Sequence, residues 1–315
     1  MDVHGGRSRL GWADLPVHIR ARIERLVGAP VTTTTTADGG FSPGFASSAT
    51  LSDGRTLFVK AVGTATGPGS ADLLRREREN LERLGNRPFT SHMIAADDDG
   101  DWVVVVFEHV PGRAPIPSVR DERRRMIRAF EEAAASFTPS PIAARTFADA
   151  VGADLDGWNR VERGDPAVEI DPWVAGNLDL VRTLAARWRD ASAGASLIHG
   201  DLRADNMLLS GDDVVIVDWT EVCVAAPWLD WVLAVPSVCL FPDTPSPESV
   251  FRESALSASA PAADVTAVLA AMSSYFLCSA VLPFIPQLPA LRDFQRAQGV
   301  VAARWLRIRI EAGLA

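Results

Sequence analysis

An α+β chain is predicted, with a small lobe built on an antiparallel sheet followed by a larger, mainly helical lobe. Three observations carry this. The runs FASSATL and RTLFVKAV flank the turn Asp53-Gly54, which is the pattern of a β-hairpin. Residues 102–107 (WVVVVF) form a short apolar run that suits a buried strand. Beyond Pro111-Gly112 the sequence becomes helical in character and stays so apart from a segment around position 200. With 315 residues there is ample chain for two lobes and a sizeable core. The division is expected after Glu108, giving lobes 1–108 and 109–315.

Each element follows from local spacing. Residues 12–26 place Val17, Ile19, Ile23 and Leu26 at helical intervals, and a turn-rich stretch centred on ADGGFSPG follows. After the hairpin, GTATGPGS reads as a loop, and residues 71–84 read as a charged helix with Leu74, Leu81 and Leu84 near one face. Residues 120–137 and 178–191 also read as helices. Residues 265–286 carry no charge and are long enough to cross a bilayer. Thr266, Ser273, Ser274 and Ser279 interrupt that run, Pro283 and Pro286 end it, and no basic cluster flanks it. A buried helix is therefore expected, and no membrane partner. No repeat at a solenoid period is present.

Composition narrows the function classes. The formal charge of −9 disfavours a nucleic-acid partner, which would need a basic footprint. Cys223, Cys239 and Cys278 lie far apart without metal-knuckle spacing, and the opening MDVHGGRSRLGW has no signal-peptide core, so a reducing, cytoplasmic setting is expected. The 31 basic residues comprise 30 arginines and one lysine, Lys60, which ends the apolar run Leu57-Phe58-Val59. Two readings stand for it: chance survival in an arginine-preferring composition, or a place where a guanidinium fork cannot replace a compact ammonium.

Chemistry concentrates in residues 197–219, LIHGDLRADNMLLSGDDVVIVDW. A loop, a short strand, a turn at Gly211-Asp212 and a second strand would form a hairpin with Asp201, Asn206 and Asp218 at its open end. Oxygen donors without thiolate or imidazole form a hard-cation set that suits magnesium held jointly with substrate phosphates. Each residue taken alone is equally a turn former. The joint pattern HGDLRADN with Asp218 resembles the aminoglycoside phosphotransferase family, small-molecule kinases that share the protein-kinase-like two-lobe fold and include choline-kinase relatives. The resemblance covers most of the chain in order: the turn GGFSPG, Lys60, Glu77, WVVVVFEHVPG, the HGD loop and VDWTEVCVAAPWLDW.

What the resemblance implies is specific. ATP or GTP and Mg2+ are expected as cofactors. Lys60 would contact the α- and β-phosphates, held by an ion pair with Glu77, chosen over Glu79 because the family pattern places leucines four and seven residues later, here Leu81 and Leu84; the other reading of Glu77 is an exposed helix charge among arginines. Asp201 would take or orient the proton of the acceptor hydroxyl, and Asn206 and Asp218 would hold magnesium. Gly40, Ser42 and Gly44 would face the phosphates, although Pro43 between them lacks an N–H. The backbone of Glu108 to Val110 would receive the base, with Glu108 equally readable as an exposed carboxylate at a strand end. His199 and Asp230 would brace the catalytic loop.

A pseudokinase acting as a regulatory module would have lost one of Lys60, Asp201, Asn206 or Asp218, and all are present. A housekeeping metabolite kinase and a resistance enzyme fit the motifs alike. Gly200 stands where protein kinases carry arginine, which argues against a protein substrate. The carboxy-terminal WLRIRIEAGLA is basic where several antibiotic kinases are acidic, which weighs against aminoglycoside specificity. Between Phe147 and Val181 eight acids face two arginines, with Trp158 and Trp173 interspersed. This is either a wall for a cationic, hydroxylated acceptor, with Asp154 and Asp156 bearing on it, or a solvated acidic surface. Nothing in the sequence specifies an oligomeric state.

Overall fold

A computed structural model of the protein describes residues 9–37, 44–66, 69–87, 89–162, 172–285 and 288–315. Gly40, Ser42 and Pro43 of the turn, and Arg163, Asp165, Glu169 and Asp171 of the acidic stretch, lie outside the described residues. The chain begins α1 (Val17–Val27), β1 (Val31–Thr36), β2 (Phe45–Leu51), β3 (Thr56–Gly63), α2 (Ser70–Leu84), β4 (Met93–Asp98) and β5 (Trp102–Glu108). It continues α3 (Arg120–Ser136), α4 (Phe147–Val151), α5 (Trp158–Glu162), α6 (Pro172–Gly176), α7 (Leu178–Ala185), α8 (Trp188–Ala191) and β6 (Ser196–Ile198). The remainder is β7 (Met207–Ser210), β8 (Asp213–Ile216), β9 (Cys223–Ala225), α9 (Leu229–Val238), α10 (Pro247–Arg252), α11 (Leu256–Ser259), α12 (Ala262–Ser279) and α13 (Leu291–Glu311). Two compact units result. One runs to Ala114 and includes Asp205–Glu221; the other contains Pro115–Ala204, Val222–Ile285 and Pro289–Ala315.

The first unit is built on a five-stranded antiparallel sheet in the order β1-β2-β3-β5-β4. Alternation along β3 sends Leu57, Val59 and Ala61 into one core with Ile19 and Ile23 of α1 and with Val104 and Val106 of β5. The opposite face carries Lys60, and α2 packs there. Its buried positions Leu74, Glu77, Leu81 and Leu84 recur at helical intervals, so a carboxylate sits inside the stripe that a helix normally keeps apolar. The expected helix at 12–26 begins only at Val17, after a short 3-10 turn at Trp12–Asp14. Pro16 forces this: it sets Leu15 in an extended conformation and is tolerated only at a helix start.

β1 and β4 were not expected from the sequence. Both are edge strands. Threonines occupy β1, and the acids of β4 are neutralised from α1 and α2: Arg22 bonds Asp97 and the following Asp99, and Arg75 bonds Asp98 at 2.8 Å. The hairpin β7–β8 joins this unit through Arg113, whose backbone exchanges hydrogen bonds with Leu209, and through Ser91 N–H donating to Ile216 O.

In the second unit α12 packs against α7, α8 and α13. It is long and apolar enough to cross a membrane, yet its side chains are mostly buried within the unit. Its hydroxyls are satisfied there: Thr266 donates to Leu314 O at 2.7 Å and Ser274 to Leu155 O at 3.1 Å, as a core helix requires. The single helix expected at 178–191 is two, α7 and α8. The break lets Trp188 bury its indole edge-on against Phe147, with ring centroids 5.9 Å apart.

Candidate active site

Lys60 lies mid-strand in β3, paired with Ala46 and Val105, and its side chain reaches α2. Its Nζ donates to both Glu77 oxygens, at 2.8 and 2.7 Å, and stands 3.5 Å from Asp218 Oδ1. Glu77 is 2% exposed and Lys60 22%. Glu79, the alternative glutamate, is exposed. Burial pulls the lysine down, but Asp218 and Glu77 together raise it above its ordinary value, so the ammonium is retained. Burial pushes the Glu77 carboxyl up to about 7 against the pull of Lys60. The desolvation cost of the pair falls on the glutamate.

Asp218 follows β8 with φ of 66°, a left-handed conformation uncommon outside glycine. Thr220 Oγ donates to its Oδ1 at 2.9 Å, and Asn80, one turn beyond Glu77 on α2, donates to the carbonyls of Trp219 and Thr220. The helix that carries Glu77 thus also fixes the loop that carries Asp218. Val217 N–H donates to Asn206 O at 3.0 Å, which draws the two ends of the hairpin together, and Asn206 is buried. One amide and one carboxylate fit magnesium that keeps water and phosphate oxygens in its shell. Among the described residues no group of three or more His, Cys, Asp or Glu could form an all-protein metal cage.

These residues line a cavity of about 530 Å³, together with Glu108 and Val110 at the end of β5 and Gly44 at the start of β2. The expected base-reading segment is only partly available. Glu108 N–H donates to His92 O at 2.9 Å, and its carboxylate lies 3.2 Å from His92 Nδ1. Gly44 has φ of 123°, and a Cβ there would meet Ala61 O at 2.8 Å, so any other residue would push the turn off the sheet.

Asp201 belongs to the second unit, on the loop after β6. Asp230, in the first turn of α9, accepts the N–H groups of His199 at 2.7 Å and Gly200 at 2.9 Å. Burial pushes the Asp230 carboxyl up, opposed by His199 and by those two N–H groups. Gly200 has φ of 82°, which explains a glycine after the histidine in backbone terms. Asp201 N–H lies 3.3 Å from His199 Nδ1 and donates to it. Arg203 Nη1 donates to both Asp201 oxygens, at 2.8 and 3.1 Å. Sequence reasoning gave no role to Arg203 or Thr220, although both lie within the quoted motifs.

The acidic stretch divides by role. Asp156 accepts from Trp188 Nε1 and pairs with Arg189, and Trp158 is a core residue whose indole donates to Ala270 O at 2.8 Å. Asp154 is exposed. Tyr275, the only tyrosine in the chain, has its hydroxyl pushed up by burial and then by Asp154 and Asp201, so both carboxylates bear on one phenol.

Comparison with known proteins gives a family and a fold. The family model described as the phosphotransferase enzyme family matches residues 45–264. No curated protein matches the sequence. Among solved structures the chain is similar to a choline/ethanolamine kinase family protein from Mesorhizobium loti, with 15% identity and a TM-score of 0.58, over 93% of this chain and 94% of that one. At that identity the likeness is one of fold, the kinase-like arrangement of an antiparallel sheet followed by a helical part.

Proposed function

The chain belongs to the phosphotransferase enzyme family, and on that premise we propose that this small-molecule kinase moves the γ-phosphate of ATP or GTP, with magnesium, to a hydroxyl of a small amine-bearing acceptor. One observation carries the reading. The only lysine of the chain is held between Glu77 and Asp218 on the wall of a cavity. A buried ion pair adds little stability over an apolar pair of the same volume, so its presence beside an open cavity favours a chemical role over a structural one.

In this reading Lys60 binds the α- and β-phosphates and Glu77 keeps the ammonium in place. Asn206 and Asp218 hold the cation, which when bound neutralises charge on the phosphates. Gly44 faces the phosphates, and the segment from Glu108 to Val110 takes the base. Asp201 accepts the acceptor's proton as the new P–O bond forms and the bond from the γ-phosphorus to the β–γ bridging oxygen breaks, releasing the nucleoside diphosphate. Residues 1–108 serve as the nucleotide lobe and 109–315 as the catalytic and acceptor lobe. An amine on the acceptor is supported by the acidic balance of the second lobe and by the exposed carboxylate of Asp154. The setting is cytoplasmic and the partner a small molecule, not nucleic acid or membrane.

The test is nucleotide consumption against a panel of amino alcohols, sugars and aminoglycosides, with magnesium and with a chelator. Turnover on amine-bearing hydroxyl compounds that stops with chelation is expected. Asp201→Asn should abolish turnover and leave nucleotide affinity largely intact. Turnover of that variant at the wild-type rate would remove Asp201 from the mechanism, and efficient use of only neutral or anionic acceptors would reject the amine.

A further inference from the structure

The loop that carries Asp201 is fixed at two levels, and only one of them is explained by the motif itself. Its backbone is held by Asp230 through the His199 and Gly200 N–H groups. The Asp201 side chain is another matter: it is 45% exposed, so packing alone does not set its orientation. Arg203 does so, with Nη1 placed 2.8 and 3.1 Å from the two carboxylate oxygens. A charge-assisted contact to both oxygens restricts rotation of the carboxyl as well as its position. Arg203 can act as a support only if it is itself fixed, and at 17% exposure it is more enclosed than the group it holds.

Beneath its guanidinium lies Phe294 of α13, with Cζ 5.5 Å from the ring centroid. A guanidinium at that distance from an aromatic face is attracted electrostatically and favours a flat, defined pose. The helix that carries the ring is anchored on either side of it. Gln295 and Gln298 are buried, Gly299 packs directly on Leu277 of α12, and Arg292 donates to Gln295 Oε1 at 2.9 Å. Thus a helix more than ninety residues further along the chain reaches the catalytic loop through one aromatic side chain.

We propose that Phe294 is a positioning residue for phosphotransfer, its ring holding Arg203 so that Arg203 holds the Asp201 carboxylate in the orientation that receives the acceptor's proton. The role rests on the phosphotransfer reading above. It assigns a function to a residue outside the sequence motif, and to a π face rather than to bulk. Leucine fills much of the same volume without the face; tyrosine keeps the face.

The test is a double-mutant cycle on the full chain, with steady-state kinetics on the best acceptor of the panel and thermal melts as a check of folding. Phe294→Leu should lower kcat roughly two- to fivefold with the nucleotide KM unchanged, and Phe294→Tyr should retain wild-type kcat. Arg203→Ala should lower kcat about a hundredfold through misplacement of the base. Adding Phe294→Leu to Arg203→Ala should cause little further loss, because the ring acts through the arginine. If the leucine variant does not fold, Phe294→Met takes its place in the cycle. Wild-type kcat in the folded leucine or methionine variant, or losses that multiply in the double variant, would overturn the proposal. A wild-type enzyme that phosphorylates no acceptor and hydrolyses no nucleotide would instead take down the phosphotransfer reading and this role with it.

Discussion

Replacing Lys60 by methionine keeps the length and much of the apolar stem of the side chain while removing its charge. Glu77 is then left 2% exposed with no ammonium against it, and the nearby charge of Asp218 adds repulsion. Removing one partner of a buried pair costs about 3–5 kcal/mol. Because Lys60 is 22% exposed, water already screens part of the attraction, so the lower end, about 3 kcal/mol, is expected. At ~2–4 °C per kcal/mol, that is a fall in Tm of roughly 6–12 °C at alkaline pH, where Glu77 is ionised in the wild type.

The pH dependence distinguishes this cause from ordinary loss of packing. Burial holds the Glu77 carboxyl up at about 7 even with Lys60 present, and loss of the ammonium raises it further. A carboxyl raised in the folded state favours the protonated fold. That contribution is complete below the unfolded value, near 4.5, and is lost as pH rises through the folded one. The variant should therefore approach wild type as the pH falls from about 8 to about 5, and diverge above. Urea denaturation at a series of pH values measures the gap. In the Glu77→Gln background the Lys60→Met change should lose its pH dependence. A gap that stays constant from about pH 5 to 8, or a cost that stays below about 0.5 kcal/mol well above the Glu77 value, would refute the reasoning.

Lys60→Arg should keep the fold and lose at least roughly tenfold in kcat/KM, since the planar fork cannot sit where a point charge meets two carboxylates; circular dichroism and steady-state rates check this. Asp218→Asn and Asp218→Ala should both weaken magnesium-dependent nucleotide binding by calorimetry. Only alanine should add a conformational cost of about 1 kcal/mol in the melt, because φ at this position is 66°. Thiol alkylation at pH 8 should be slow throughout: Cys223 and Cys278 are buried, and burial pushes the Cys239 thiol up to about 12. Rapid labelling of the folded protein would contradict that enclosure. Asp154→Asn should raise the acceptor KM and leave the nucleotide KM alone. Asp156→Asn should leave both and lower stability by about 1 kcal/mol, since Asp156 is engaged by Trp188 and Arg189.

How much of this was legible in the sequence depended on the range of the interaction that decides each feature. The β2–β3 hairpin and β5 were readable because a turn dipeptide and an unbroken apolar run are local signals. The edge strands β1 and β4 were not, because threonines and acids give no apolar alternation. What makes Asp97 and Asp98 acceptable in a strand is an arginine from α1 and another from α2, far away in sequence. The same division runs through the site. Glu77 was read only through the resemblance, from the leucines four and seven residues after it, and the structure adds that position 77 lies inside the buried stripe of Leu74, Leu81 and Leu84. The attachment of the 205–221 hairpin to the sheet-bearing unit was not, since it rests on the pairings of Leu209 with Arg113 and of Ile216 with Ser91. Asp201 was singled out by its motif, whereas the aromatic face near its neighbour Arg203 comes from α13 and has no counterpart in the local pattern. A motif specifies which groups meet the reacting atoms over a few residues of chain. The orientation of those groups is set by whatever the tertiary fold packs behind them, so the residues that tune a site such as this one must be sought in the contacts of its neighbours.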